Sequence, residues 1–247
     1  MRHPPRQDAL GTQDWKQNGQ ADHQYLAAER QRYGKRAPRA RGILAQNRIE
    51  HDRLLVGTSD NTEAFDRLRI QEGFSYAYPA QAMMAWVTDV PNYNGRSTPL
   101  QYRFLVAMMG SLGIGNNLNK WTNADFTLAT QMIAYYKTIR ATVQQGKLYR
   151  LLSPRVGELT ANQYVSVDGK QSVLFAFLRS QQYGRPAPTI RLRGLDDRGV
   201  YRVKPLDGSK VAEKLETASG AYLQNHGLNL LLTGDFDSTS VLLERVE

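Results

Sequence analysis

The sequence predicts an α/β region followed by an all-β region: parallel strand–helix units first, then an antiparallel β-sandwich. Two observations carry this. Strand and helix signals alternate through residues 54–146, and from Lys147 onward short strands recur with turn signals between them. A third zone, residues 1–53, has few large apolar residues, and Trp15, Tyr25, Leu26 and Tyr33 stand isolated in it. That arm is expected to be poorly ordered.

The α/β zone opens with Leu54–Val56, a brief apolar run suited to the end of a buried strand. Asp60 followed by Glu63 reads as a capping box with Asp60 as N-cap, and Phe65 and Leu68 then share a helix face. Met83–Val87 is a second buried-strand candidate, stopped by Pro91 and the Asn92–Gly95 turn. Thr98 as N-cap, Pro99 at the first helical position and Gln101 at the third predict a helix with Leu100, Phe104 and Ala107 inward. The longest helix follows, with Thr122 capping, Asp125 three residues on, and Gly146 at its stop. Along it Ala129, Met132, Ile133, Tyr136, Ile139 and Val143 recur at helical spacing.

In the β zone, residues 147–247, Gln163–Val167 and Ser172–Leu178 flank Asp168-Gly169, a hairpin turn signal. Thr189–Arg193 alternates Ile190 and Leu192 with arginines, and Val200–Val203 and Ser240–Leu243 complete the predicted strands.

Composition narrows the function classes. The net charge of +9 divides unevenly: residues 1–53 hold 11 Lys/Arg against 6 Asp/Glu, and the rest hold 21 against 17. Such an arm could bind nucleic acid, but a solvated tail is the favoured reading and no nucleic-acid partner is expected. There are no cysteines, only four histidines and no HExxH spacing, so neither a metal nor a cofactor is expected. No apolar run reaches membrane-spanning length. The stretch MRHPPRQDALGTQDWKQNG has basic residues but no apolar core of a signal peptide, and localisation stays open. Gly113 and Gly115 lack the GK[ST] of a phosphate loop.

Four blocks of sequence carry a resemblance: TSDNTEAFDRLRIQEGFSYAYP from Thr58, WVTDVPNYNGRSTPLQYRFLVAMMGSLGIGNNLNKW from Trp86, GKLYRLLSP from Gly146, and LLTGDFDSTSVLLERVE from Leu231. They resemble the retaining α-galactosidases of the melibiase and raffinose-cleaving type, most closely the fungal members. The resemblance covers about three quarters of the chain and implies the C-terminal part of a (β/α)8 barrel followed by an antiparallel β-sandwich. It further implies hydrolysis of terminal α-linked galactose with retention, through two carboxylates. Asp60 aligns with the acid/base of that family. Without the resemblance, Asp60 would read as a helix cap.

Three residues are candidates for the sugar site. Gly57 stands where relatives place a Trp, three residues before the acid/base. Asp89, at the end of the second strand candidate, faces the site or caps a turn with Pro91 and Asn92. Trp86 packs in the barrel core or flanks the sugar, with the core favoured. Arg96 and Arg103 are expected in structural ion pairs, and Asp196, Asp197, Asp235 and Asp237 in turns.

The sequence also departs from the family. No KWDxNR-like nucleophile motif is present, and KWTNAD at Lys120 is a superficial echo that opens a helix. The chain is therefore expected to be inactive alone. Residues 1–57 match nothing in the family, which suggests a fragment or a misassigned start. An unclosed barrel exposes strand edges, so a homo-oligomer or an aggregation-prone chain is expected. A non-catalytic carbohydrate-binding or regulatory protein of the same descent is the alternative.

Overall fold

A computed structural model describes residues 62–181, 183, 189–206, 210–212 and 214–246. The Leu54–Val56 strand and the 1–53 arm lie outside the described residues. Among those described, no helix is long and apolar enough to cross a membrane.

The first helix, α1, runs Ala64–Phe74 and takes Glu63 as N-cap with no side-chain capping bond. The predicted capping box is therefore not made. The Glu63 carboxylate is engaged elsewhere, by Arg96 and by Asn94 Nδ2 at 3.1 Å, so it cannot reach back along its own chain. A short 3-10 turn at Ala80–Ala82 leads into β1, Met84–Thr88. Next comes α2, Leu100–Met108, with Pro99 rather than Thr98 at the N-cap. Gln101 does not cap it either; its Nε2 donates to Ser238 O at 3.1 Å. Every residue from Tyr102 to Met108 is buried, because α2 lies between the parallel strands and the antiparallel sheet.

The strand β2, Ser111–Gly115, runs parallel to β1, in register from Met84 opposite Ser111 to Thr88 opposite Gly115. The sequence reading contains no strand here. Two glycines in five residues carry little strand propensity, and packing decides the matter. The long helix α3, Asn123–Gln145, is capped as its sequence dictates: Thr122 Oγ1 accepts from Asp125 N at 3.2 Å and Asp125 Oδ2 from Thr122 N at 2.8 Å. Its buried stripe is Ala129, Met132, Tyr136, Ile139, Thr142 and Val143, with Ile133 only partly buried against the same core. The helix stops at Gly146 with extended backbone, so the glycine does not serve a left-handed turn. A Cβ there would come within 2.3 Å of both Thr142 O and Val165 O, which is why the side chain must be absent.

Six strands then form one antiparallel sheet: β3 Lys147–Leu152, β4 Leu159–Val165, β5 Gln171–Leu178, β6 Val200–Pro205, β7 Thr217–Ser219 and β8 Asp237–Arg245. Their order is β3-β4-β5-β8-β6-β7. The β4–β5 hairpin turns through Asp168-Gly169, where Gly169 has φ 70° and Asp168 Oδ1 accepts from Lys170 N at 3.0 Å. From Ser172 onward β5 is buried on both faces, which explains its continuous apolar run. Val173, Phe175 and Phe177 join the core shared with α2 and α3, while Leu174, Ala176 and Leu178 face a second core. The second layer of the sandwich is thin. Extended segments supply Ile190, Leu192, Leu228 and Leu230, joined by single bridges of Ile190 to Leu228 and Val211 to Leu230. The predicted Thr189–Arg193 strand is reduced to the first of those bridges. A six-residue helix, α4 Gly220–Asn225, completes the described chain.

Candidate active site

Chemistry in parallel βα units belongs at the C-terminal ends of the strands, and here that end is densely tied together. Asp60 and Gly57 lie outside the described residues. The chain two residues beyond Asp60 is described, and it is held at the end of β1. Thr62 O accepts from Arg67 Nη2 at 2.9 Å and from Thr88 Oγ1 at 3.5 Å. Thr88 O, the last carbonyl of β1, accepts from Arg103 Nη1 at 2.7 Å. Arg103 Nε also donates to Thr98 O at 3.2 Å. The expectation of an ion pair for Arg103 is therefore corrected: it grips carbonyls, and Asp125 and Asp89 act on it only at a distance. Burial lowers the pKa of both guanidiniums, that of Arg67 to about 10.

Arg96 does make its expected ion pair, with the fully buried carboxylate of Glu63. Its guanidinium also lies 5.2 Å from the Phe65 ring centroid and 5.6 Å from that of Phe236. Phe236 precedes β8 and has φ 55°, and its N–H donates to Arg179 O at 3.1 Å. The guanidinium of Arg179 in turn sits 4.9 Å from the Phe65 centroid. The start of α1, the loop after β1 and the turn before β8 thus meet around one phenyl ring. Sequence reading singled out Arg96 but not Glu63 as its partner. An acidic residue beginning a helix normally reads as an end-of-helix charge, and only the Asn94-Gly95-Arg96 turn brings its cation to it.

Asp89 joins the loops after β1 and β2. Both its carboxylate oxygens accept from Asn117 N at 3.1 Å, and Lys120 Nζ lies 3.7 Å away. Its carbonyl accepts from Asn92 Nδ2 at 2.9 Å, which is the turn bond its sequence suggested. The turn reading of Asp89 has its counterpart in that backbone bond, while its part-exposed carboxylate, at the strand ends, is engaged by Asn117 and Lys120. The Val90–Pro91 peptide in the same loop is cis.

Trp86 is not in the core that the helices cover. Ala85 and Val87 point there, and Trp86 is half-buried on the opposite face of β1, with Met84 and Thr88. Its ring crosses Gly113, the residue paired with it on β2. A Cβ at Gly113 would lie 2.6 Å from Trp86 Cε3. The β2 residues on that face are Ser111, Gly113 and Gly115, which leave room for the indole. Gly113 and Gly115 serve strand packing, and KWTNAD at Lys120 forms a 3-10 turn and the cap of α3. Asp196 lies in a turn and pairs with Arg245 at 2.9 Å, whereas Asp237, expected in a turn, is the first residue of β8, opposite Leu178, and pairs with Lys210.

Comparison with known proteins matches two parts of the chain to family models. The model for melibiase matches residues 51–146, and the model for the glycosyl hydrolase family 36 C-terminal domain matches residues 159–243. Over these two stretches the chain is similar to glycosyl hydrolase family 36 α-galactosidases. Alpha-galactosidase C of Emericella nidulans is 40% identical over 191 residues, covering 77% of this chain and 24% of that protein. The crystal structure of α-galactosidase AgaB from Geobacillus stearothermophilus superposes with a TM-score of 0.69 at 37% identity, covering 76% of this chain and 25% of that one. A variant of α-galactosidase AgaA from the same organism, solved with raffinose, gives 0.69 at 35% identity, with the same coverage. The chain thus spans about a quarter of the length of the relatives it matches. The family match begins at residue 51, so residues 51–57, Gly57 among them, lie inside it, contrary to the expected start at Thr58.

Proposed function

We propose that this chain carries the acid/base side of a retaining α-galactosidase site, with Asp60 as the acid and then the base. The observation that carries the reading is the TSDNTE block of residues 58–63. It falls within the melibiase match and includes Thr62, which Arg67 and Thr88 hold at the C-terminal end of β1. The substrate class is a terminal α-galactoside, in keeping with the raffinose bound by the related AgaA variant.

In this chemistry the protonated Asp60 carboxyl gives its proton to the glycosidic oxygen as the bond to the anomeric carbon breaks. A second carboxylate attacks that carbon from the opposite face and forms a galactosyl ester. Asp60, now a carboxylate, takes a proton from water. The water oxygen displaces the ester, releasing galactose with its configuration retained and regenerating both groups. Asp89 offers a part-exposed acceptor at the strand ends and Trp86 an indole wall inside them, and the sequence has Gly57 where relatives place a Trp. Since no KWDxNR-like motif is present, the second carboxylate has no source in this sequence, and the chain alone does not turn over substrate.

Purified chain assayed on a chromogenic α-galactoside tests this reading. No turnover is expected. Turnover abolished by Asp60→Asn would mean that this chain supplies its own nucleophile and would overturn the division of labour proposed.

A further inference from the structure

The loop after β1 carries an exposed aromatic residue that neither the core nor the proposed acid/base chemistry uses. Tyr93 is 79% exposed, yet its position is fixed. Its hydroxyl donates to Asp66 Oδ2 on the first turn of α1 at 3.1 Å, and the same bond raises the phenol's pKa, so it stays a donor at neutral pH. The backbone around it is closed on itself: Asn92 N donates to Arg96 O at 2.9 Å, and Gly95 N to Asn92 O at 2.8 Å. The turn closes through Gly95 at φ 77°. Asn94 and Arg96, one and three residues on, are anchored to buried Glu63. An exposed ring on so constrained a turn loses little freedom when something is laid against it.

The other exposed tyrosines near these strands differ. Tyr76 is 71% exposed, but the Arg150 guanidinium lies 4.3 Å from its centroid, and Tyr78 stacks on Phe74 at 4.9 Å. Both precede β1 and so lie at the end away from Asp89. Among the described residues, no aromatic ring or guanidinium stacks on Tyr93. It follows Asn92, which bonds the Asp89 carbonyl, so it stands on the loop that leads outward from the strand end.

We propose that Tyr93 is a sugar-stacking platform at the rim of the site, taking the ring of the saccharide unit next to the terminal galactose. This rests on reading the β1 end as the galactoside site. The terminal galactose occupies the strand ends, and the following sugar must leave across the rim. There the apolar C–H face of a pyranose meets the phenol ring, and its hydroxyls stay in water. Tyr93 is a specificity residue in this account: it favours oligosaccharides over free galactose and takes no part in bond breaking.

The test uses the full chain and saturation-transfer NMR with raffinose and with galactose. Wild-type chain should bind raffinose about fivefold to tenfold more tightly than galactose, a difference of about 1–1.4 kcal/mol. Tyr93→Ala should remove that difference and leave galactose unchanged, and Tyr93→Trp should restore it. Tyr76→Ala should change nothing. Raffinose binding that is undiminished in Tyr93→Ala, or no preference for raffinose in the wild type, would overturn the proposal. A wild-type chain that binds neither sugar would overturn the reading of the β1 end as the galactoside site, whereas galactose binding without a raffinose preference would overturn only the Tyr93 platform.

Discussion

Replacing Gly113 by alanine tests how the inner face of the parallel strands is built. The added Cβ would stand 2.6 Å from Trp86 Cε3 and 2.7 Å from Cζ3, well inside contact distance. Backbone pairing with Trp86 fixes the glycine, so the indole must move. Overpacking of this kind costs about 1–3 kcal/mol. The low end applies because Trp86 is only half-buried and can swing outward. For a folded region of this size, that lowers the melting temperature by roughly 2–6 °C. The assay is a double-mutant cycle with Trp86→Ala, followed by thermal melting and near-UV circular dichroism. In the Trp86→Ala background the added methyl should cost nothing, giving a coupling of about 1–2 kcal/mol. A Gly113→Ala penalty that persists without the indole would refute the reasoning and place the strain in the strand backbone.

Three further outcomes are expected. Glu63→Ala leaves the Arg96 guanidinium without its buried partner and should destabilise by about 2–4 kcal/mol; calorimetric melting measures it, and a loss below about 0.5 kcal/mol would contradict the clamp. Thr122 holds the Asp125 carboxyl below its ordinary value of 3.8, through its backbone N–H and then its hydroxyl. A depressed carboxylate stabilises above the unfolded pKa and loses that contribution as pH falls through the folded one. Helicity at 222 nm should therefore decline below about pH 4 in the wild type and less steeply in Asp125→Asn, so identical acid profiles would show the cap is inert. The parallel pair holds only two described strands, and open strand edges recruit other chains. We therefore propose that the chain associates, and light scattering should give a mass above 27.9 kDa.

Much of this fold is legible in the sequence wherever one local signal decides the structure. The α3 cap follows from Thr122 and Asp125, and the β4–β5 hairpin from Asp168-Gly169. In both cases the partners lie within three residues of each other. The reading goes astray where distant partners compete. Glu63 reads as the far side of a capping box, but Arg96, 33 residues away, takes its carboxylate. Gln101 reads as a cap, but Ser238 claims it across the interface with β8. The β2 strand is invisible because its glycines answer to the Trp86 ring, not to local propensity. For the proposed site, the motif points to Asp60 and strand order points to Asp89. Tyr93 carries no sequence signal, because only its bond to Asp66 separates it from any other loop tyrosine.

The central claim, that Asp60 supplies the acid and base of a retaining site, is tested by restoring the rest of the barrel and exchanging that residue. Residues 58–247 would replace the matching segment of Alpha-galactosidase C, in a chimera shown to melt cooperatively. It should hydrolyse an α-galactoside, and Asp60→Ala should lose most activity except on substrates with a leaving group that needs no proton. With azide added, that variant should regain turnover and release α-galactosyl azide, since azide then attacks the ester from the face water would use. A β-galactosyl azide product would make Asp60 the nucleophile, and undiminished activity in Asp60→Ala would remove it from the chemistry; either result contradicts the account.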